Sequence, residues 1–159
     1  FGIDREAKQG GTWANDISEV GYKYQMTDIA AAMGLAALET VDDVLQLRRS
    51  LFARYIEGLQ DIDGIKIVGA DYTDREHAAW LCTVLVERRR DLERKLRDNA
   101  IESGQVHFRN DRYSVFAEFR SEELPNMDAI EDKYLVLPLH THMTIADVDR
   151  ICATIRSGW

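Results

Sequence analysis

Between His107 and Tyr113 the sequence reads HFRNDRY, placing an imidazole, two guanidinium groups, an Asn–Asp pair and a phenol side by side. Arginine forks match carboxylates and phosphates, and a neighbouring imidazole donates to an anion or carries a proton. The same residues also suit a strand end with solvated charges and a turn at Asn110–Asp111, and both readings stand. In LHTHM, His140 and His142 fall on one side of an extended segment, a spacing compatible with a metal ion. No third ligand accompanies them, so a polar loop ahead of a capped helix is the preferred reading and no metal is expected. Trp80, beside Cys82 and Val84, reads as sheet packing before it reads as a ligand platform, and Arg88 to Arg90 as a solvated turn. No Ser–His–Asp or Cys–His arrangement stands out, and no carboxylate pair calls for glycosidase chemistry.

A second stretch raises a different question. GYKYQMTDIAAAMGLAALE, Gly21 to Glu39, sets Tyr22, Lys23, Tyr24 and Gln25 directly ahead of a helix of small residues. Thr27 is a good N-cap, with Asp28 near the positive helix end. Ile29, Met33 and Ala36 or Ala37 share one face of that helix.

The elements that position these groups alternate between helix and strand. Val41, Val44, Leu45, Leu51, Phe52, Tyr55 and Leu59 keep helical spacing to about Gln60, with Thr40 and Asp42 interrupting the helix before it. Ile65–Val68 and Ala79–Val86 have strand length and composition. Asp91–Glu102 predicts a helix with Leu92, Leu96 and Ala100 inward, Asp91–Lys95 and Glu93–Arg97 pairs, and Gly104 as its stop. Gln105–Arg109 alternates like a third strand. Pro125 precedes a helix from about Met127 to Lys133, YLVLPL is extended, and T-I-A-D at Thr144 has capping-box spacing with Asp147 at the acidic position. The class expected is α+β: a small, mostly antiparallel sheet with helices packed on one face. A doubly wound parallel sheet competes poorly, because no Gly-rich strand-to-helix turn, and hence no dinucleotide fingerprint or P-loop, is present.

Composition narrows the function further. The 159 residues carry a net charge of −8, which argues against sequence-independent nucleic-acid binding but not against a small anionic ligand. A chain of this size buries about 70% of its unfolded surface. Cys82 and Cys152, isolated and in apolar settings, suggest a reducing compartment, the cytoplasm. No apolar run is long enough for a membrane span. The opening FGIDREAKQGG has neither Met nor periodicity and reads like the interior of a longer protein. Phe1 to Val20 is expected to order poorly, since it has little to bury.

GYKYQMTDIAAAMGLAALE resembles the G-Y-[NK]-Y-x-[ML]-[TS]-D-I-x-A-A-x-G-L-x-Q-L motif of the DegT/DnrJ/StrS-type sugar aminotransferases. The resemblance continues in order through LQLRRSLFARYIEGL, HAAWLCTVLV, GQVHFRND and LPLHTHMTIADVDRI. Ala37 departs from the family's Gln, and Gln25 from its Arg or Asn. The resemblance implies a pyridoxal-phosphate enzyme of the aspartate aminotransferase fold (type I) that aminates keto groups of nucleotide-linked sugars, with glutamate as nitrogen donor. It implies a homodimer in which the tyrosine-rich loop enters the partner's active site, with Lys23 or Gln25 contacting the cofactor phosphate in trans. His107, Arg109 and Tyr22 become the substrate-side candidates. The family's Schiff-base lysine lies upstream, and Lys8, Lys23, Lys66, Lys95 and Lys133 sit in none of its contexts. No catalytic residue is therefore expected in this chain, which reads as a linker and interface segment (1–25) followed by the C-terminal small domain (26–159). A non-catalytic α+β binding module and a family member that has lost catalysis are the other readings.

Overall fold

The computed structural model describes residues 20–120 and 123–159. The segment expected to order poorly, and Lys8 within it, falls almost wholly outside those residues. The chain divides into two units, Phe1–Thr40 and Val41–Trp159.

In the first unit α1 spans Asp28–Leu38. Thr27 starts it as expected, its hydroxyl accepting from the Ala30 N–H at 3.2 Å. None of its side chains is buried, and Ile29, Met33, Leu35 and Leu38 all stand in solvent. The helix stops at Leu38, and the Thr40 N–H closes its last turn on the Ala37 carbonyl.

The second unit holds α2 (Val41–Leu59), β1 (Ile65–Ile67), β2 (Cys82–Val86), α3 (Arg89–Asp98), α4 (Pro125–Ile130), β3 (Tyr134–Leu137) and α5 (Ile145–Arg156). Two 3-10 turns, Asn110–Arg112 and Ser114–Phe119, lie between α3 and α4. The strands form one antiparallel sheet in the order β1-β2-β3, with Val84 opposite Ile67 on one side and Leu135 on the other. Alternation along β2 buries Cys82, Val84 and Val86. These join Leu135 and Leu137 in a single core with Leu51, Tyr55 and Leu59 of α2, Leu92 and Leu96 of α3, and Val148, Ile151 and Ile155 of α5. Each fully buried leucine there contributes about 1.5–3 kcal/mol relative to exposure.

Close contact fixes how the helices meet. A Cβ on Gly58 of α2 would lie 2.5 Å from the Cys152 Sγ of α5, so only hydrogen fits. Thr144 and Asp147 complete the expected capping box at the start of α5.

Several boundaries differ from the sequence reading. The strand expected from Ala79 begins at Cys82, because Ala79 is left-handed (φ 51°), and Trp80 stands in solvent instead of packing in the sheet. Gln105–Arg109 is not a strand: only Gly104 bridges to Val136. Beyond it the Tyr134 hydroxyl donates to the His107 carbonyl, and Arg109 is held by carboxylates, so the chain leaves the ladder. The third helix ends at Asp98, Ala100 adopts φ 55° in solvent, and Ile101 takes the buried place. Glu93 pairs with Arg89, and Asp91 with Arg88 and Arg94, because the helix starts two residues early and brings those arginines within reach. Arg89 is correspondingly far less solvated than a turn residue would be. The helix predicted over Met127–Lys133 forms over Pro125–Ile130, with Pro125 in the first turn, where its missing N–H costs nothing.

Candidate functional site

Thr83 and Leu85 of β2, opposite Val136 and Tyr134 of β3, point away from the helical layer. Gly104 bridges to Val136 along the free edge of β3, and from the second face the Tyr134 hydroxyl donates to the His107 carbonyl. A cleft of about 580 Å³ opens along that edge, lined by Ile101, Val106, Val136 and His140 and, from α5, by Arg150 and Ile151, among others. Its floor is apolar and its rim mixed.

His107 is exposed, and its imidazole lies 5.9 Å from the Trp80 indole at a 48° tilt. The backbone under Trp80 is held from α2. One nitrogen of Arg48, Nη1, donates to the carbonyls of Ala79, Trp80 and Leu139 at 3.2, 3.1 and 3.4 Å. The Ala79 N–H donates to His77 Nδ1 at 2.8 Å, and that imidazole stacks on Phe52 with centroids 4.6 Å apart. Sequence reasoning missed Arg48 and His77. The signal for Arg48 was its place, four residues from both Val44 and Phe52 on the apolar stripe of α2, where an arginine needs partners.

Arg109 sits two residues from His107 but faces elsewhere. It is 6% exposed. Its Nε and Nη2 form a fork onto Asp111 at 2.8 and 2.7 Å, while Nη1 donates to Asp128 at 2.5 Å and Glu131 at 3.0 Å. Arg112 also reaches Glu131, at 2.9 Å. The hydrogen bond from Arg109, ahead of its Coulombic pull, holds the Asp111 carboxyl below the usual carboxylate range, and Asp111 and Asp128 raise Arg109 above its own. Two cations among three carboxylates leave this cluster net negative, so the guanidinium as placed is a structural clamp, not an anion fork open to ligand.

The remaining sequence candidates fall as follows. His140 and His142 lie with ring centroids 6.2 Å apart, and the His142 N–H donates to His140 Nδ1 at 3.3 Å. Among the described residues no group of His, Cys, Asp or Glu is arranged to hold a metal ion. Tyr22, Lys23 and Gln25 belong to the first unit, where Tyr22 stacks on Tyr24 at 5.3 Å. Among the described residues no helix is long and apolar enough to cross a membrane.

The lysines among the described residues are Lys23, Lys66, Lys95 and Lys133. A lysine that forms an imine to pyridoxal phosphate needs a desolvated or base-flanked amine. Lys23, Lys66 and Lys133 are exposed, Lys66 pairs with Asp71 at 3.2 Å, and Lys95 lies half-buried on α3 away from the cleft.

Residues 1–156 match the model of the DegT/DnrJ/EryC1/StrS aminotransferase family. The chain is 27% identical over 167 aligned positions to the UDP-4-amino-4-deoxy-L-arabinose–oxoglutarate aminotransferase of Shewanella sediminis, covering 96% of this chain and 42% of that protein. It is similar in structure to the sugar aminotransferase CalS13 of Micromonospora echinospora, with TM-score 0.85 and 34% identity, over 99% of this chain and 42% of that one. The Streptococcus pneumoniae protein Spr1654, in its PLP-form, gives TM-score 0.80 at 26% identity, over 94% and 40%. The chain thus spans about two fifths of the length of the relatives it matches. The antiparallel sheet and helical layer are those of one part of such an enzyme, and the chain belongs to the DegT/DnrJ/EryC1/StrS aminotransferase family.

Proposed function

We propose that this chain is the C-terminal part of a pyridoxal-phosphate-dependent aminotransferase that transfers an amino group from glutamate to a nucleotide-linked keto-sugar. The observation that carries this reading is the family match over residues 1–156; the name of the Shewanella sediminis relative, an oxoglutarate aminotransferase, supports glutamate as donor, since oxoglutarate is what glutamate becomes on giving up its amino group. Residues 1–25 act as linker and interface segment and 26–159 as the small domain. The enzyme works as a cytoplasmic homodimer in polysaccharide biosynthesis. His107 meets the substrate from the second face of the sheet, and Tyr22 meets it from the interface loop. Arg109 serves the same site by clamping the segment that carries His107. Lys23 or Gln25 contacts the cofactor phosphate of the partner subunit. The imine-forming lysine comes from outside this chain.

Two measurements test the reading. The complete protein, given glutamate and nucleotide sugars with the keto group at C3 or at C4, should release 2-oxoglutarate and an aminated sugar nucleotide of the expected mass from one of them; absence of both products with every such sugar, from folded, cofactor-loaded protein, overturns it. The present chain, treated with pyridoxal phosphate and borohydride, should show no stoichiometric adduct at any single lysine.

A further inference from the structure

Trp80 is a large apolar ring kept 64% in solvent, directly ahead of a strand whose alternate residues are fully buried. The residue before it shows how firmly that position is fixed. Ala79 is fully buried at φ 51°, a conformation L side chains rarely adopt. Strain of this kind persists only where the surroundings over-determine it, and it concentrates at ligand sites. Here the surroundings are the Arg48 guanidinium on the carbonyls of residues 79, 80 and 139, and the His77 imidazole accepting from the Ala79 N–H. His77 is itself held between the Phe52 ring and Gly69, where a Cβ would come within 3.1 Å of the imidazole. An exposed indole on so rigid a base, with the His107 imidazole 5.9 Å away, is a pre-organised aromatic wall with a polar group beside it.

We propose that the Trp80 indole is the platform on which a ring of the sugar nucleotide stacks, with Arg48 and His77 as its positioning residues. The inference rests on the sugar-nucleotide reading above. The chemistry recognised is a flat ring face with hydroxyl or carbonyl substituents within reach of His107. A pyranose presents C–H bonds to an aromatic face, and a nucleobase stacks on it; both use the same wall.

Calorimetry on the complete protein with UDP-glucose and GDP-mannose, then with UDP, GDP and the free hexoses, separates the two sources. Retention of Trp80-dependent affinity by the free nucleotide puts the base on the indole; its appearance only with the intact sugar nucleotide puts the sugar there. Trp80→Ala should weaken binding roughly tenfold, the effect of losing one stacked ring, while Trp80→Phe keeps most of the affinity. Arg48→Met, which keeps the stem but removes every donor to the carbonyls of residues 79, 80 and 139, should give an intermediate loss. The ligand-dependent change in tryptophan emission should vanish in Trp80→Phe and persist in Trp159→Phe. If wild type binds and folded Trp80→Ala binds within twofold of it, the platform is wrong and the sugar-nucleotide reading survives. If wild type binds none of the probes, both fall together. Unchanged binding by folded Arg48→Met removes the positioning role.

Discussion

Arg109 grips Asp111, two residues along the chain, through parallel contacts of 2.8 and 2.7 Å, and the same guanidinium reaches Asp128 and Glu131. A bidentate grip at such short range bends the backbone into the turn that follows. It also ties the segment carrying His107 to α4 and the turn after it. The side chain whose type most suggested anion recognition therefore works on its own chain.

Arg109→Lys should loosen this segment, because an ammonium cannot reproduce the planar fork. Amide exchange across residues 106–120 should accelerate well beyond that in Arg112→Lys, with the sheet core unaffected. The folded Asp111 carboxyl titrates below its unfolded value of about 3.9. Its contribution to stability is therefore present above that value and is lost as pH falls through the lower, folded one. Acid unfolding of wild type should steepen below about pH 4. In Asp111→Asn that component should be missing; an unchanged acid limb would refute the assignment.

Gly58→Ala tests the meeting of α2 and α5. The added methyl gains about 1 kcal/mol of helix propensity. Overpacking against Cys152, whose Sγ would be 2.5 Å away, costs about 1–3 kcal/mol. The denaturation midpoint should fall, and Gly58→Ala combined with Cys152→Ala should recover part of the loss. Equal midpoints for wild type and Gly58→Ala would show that the helices shift without cost.

Exposed Ile29, Met33, Leu35 and Leu38 make α1 a surface that seeks a partner. The chain on its own should self-associate as concentration rises, and Met33→Lys with Leu35→Glu should suppress it. Light scattering that finds wild type strictly monomeric at high concentration would count against this.

In the complete protein, a contact from Lys23 or Gln25 to a phosphate contributes about 1.5–3 kcal/mol. Substituting the responsible residue with alanine should weaken cofactor retention by roughly one to two orders of magnitude, and substituting the other should be mild. Mixed with a mutant lacking the imine-forming lysine, the loop mutant should regain one working site per heterodimer. Folded heterodimers that recover nothing would exclude the cross-subunit contact.

Elements governed by local rules were legible in the sequence. Thr27 and Thr144 start their helices where their side chains allow, and the Leu92–Leu96 stripe lands in the core. Failures arose where a distant partner overrides local pattern. Gln105–Arg109 alternates like a strand, yet Asp128 and Glu131, about twenty residues on, draw Arg109 off the sheet edge. Trp80 looks like sheet filling until Ala79 turns left-handed under the hold of Arg48, and periodicity carries no sign of either. Tyr22, Lys23 and Gln25 are candidates by resemblance alone, since nothing in their spacing names a ligand.

The triple contact of Arg48 also bears on the order in which the chain assembles. It joins residues 31, 32 and 91 positions away, so it closes only after α2, the entry to β2 and the exit from β3 have met. Loop-closure entropy makes such a junction late, absent while the nucleus forms and present once the native state is sealed. Arg48→Met should then leave the refolding limb of a chevron nearly unmoved and raise the unfolding limb, so Arg48 acts as a latch on the lifetime of the native state more than as a guide to reaching it.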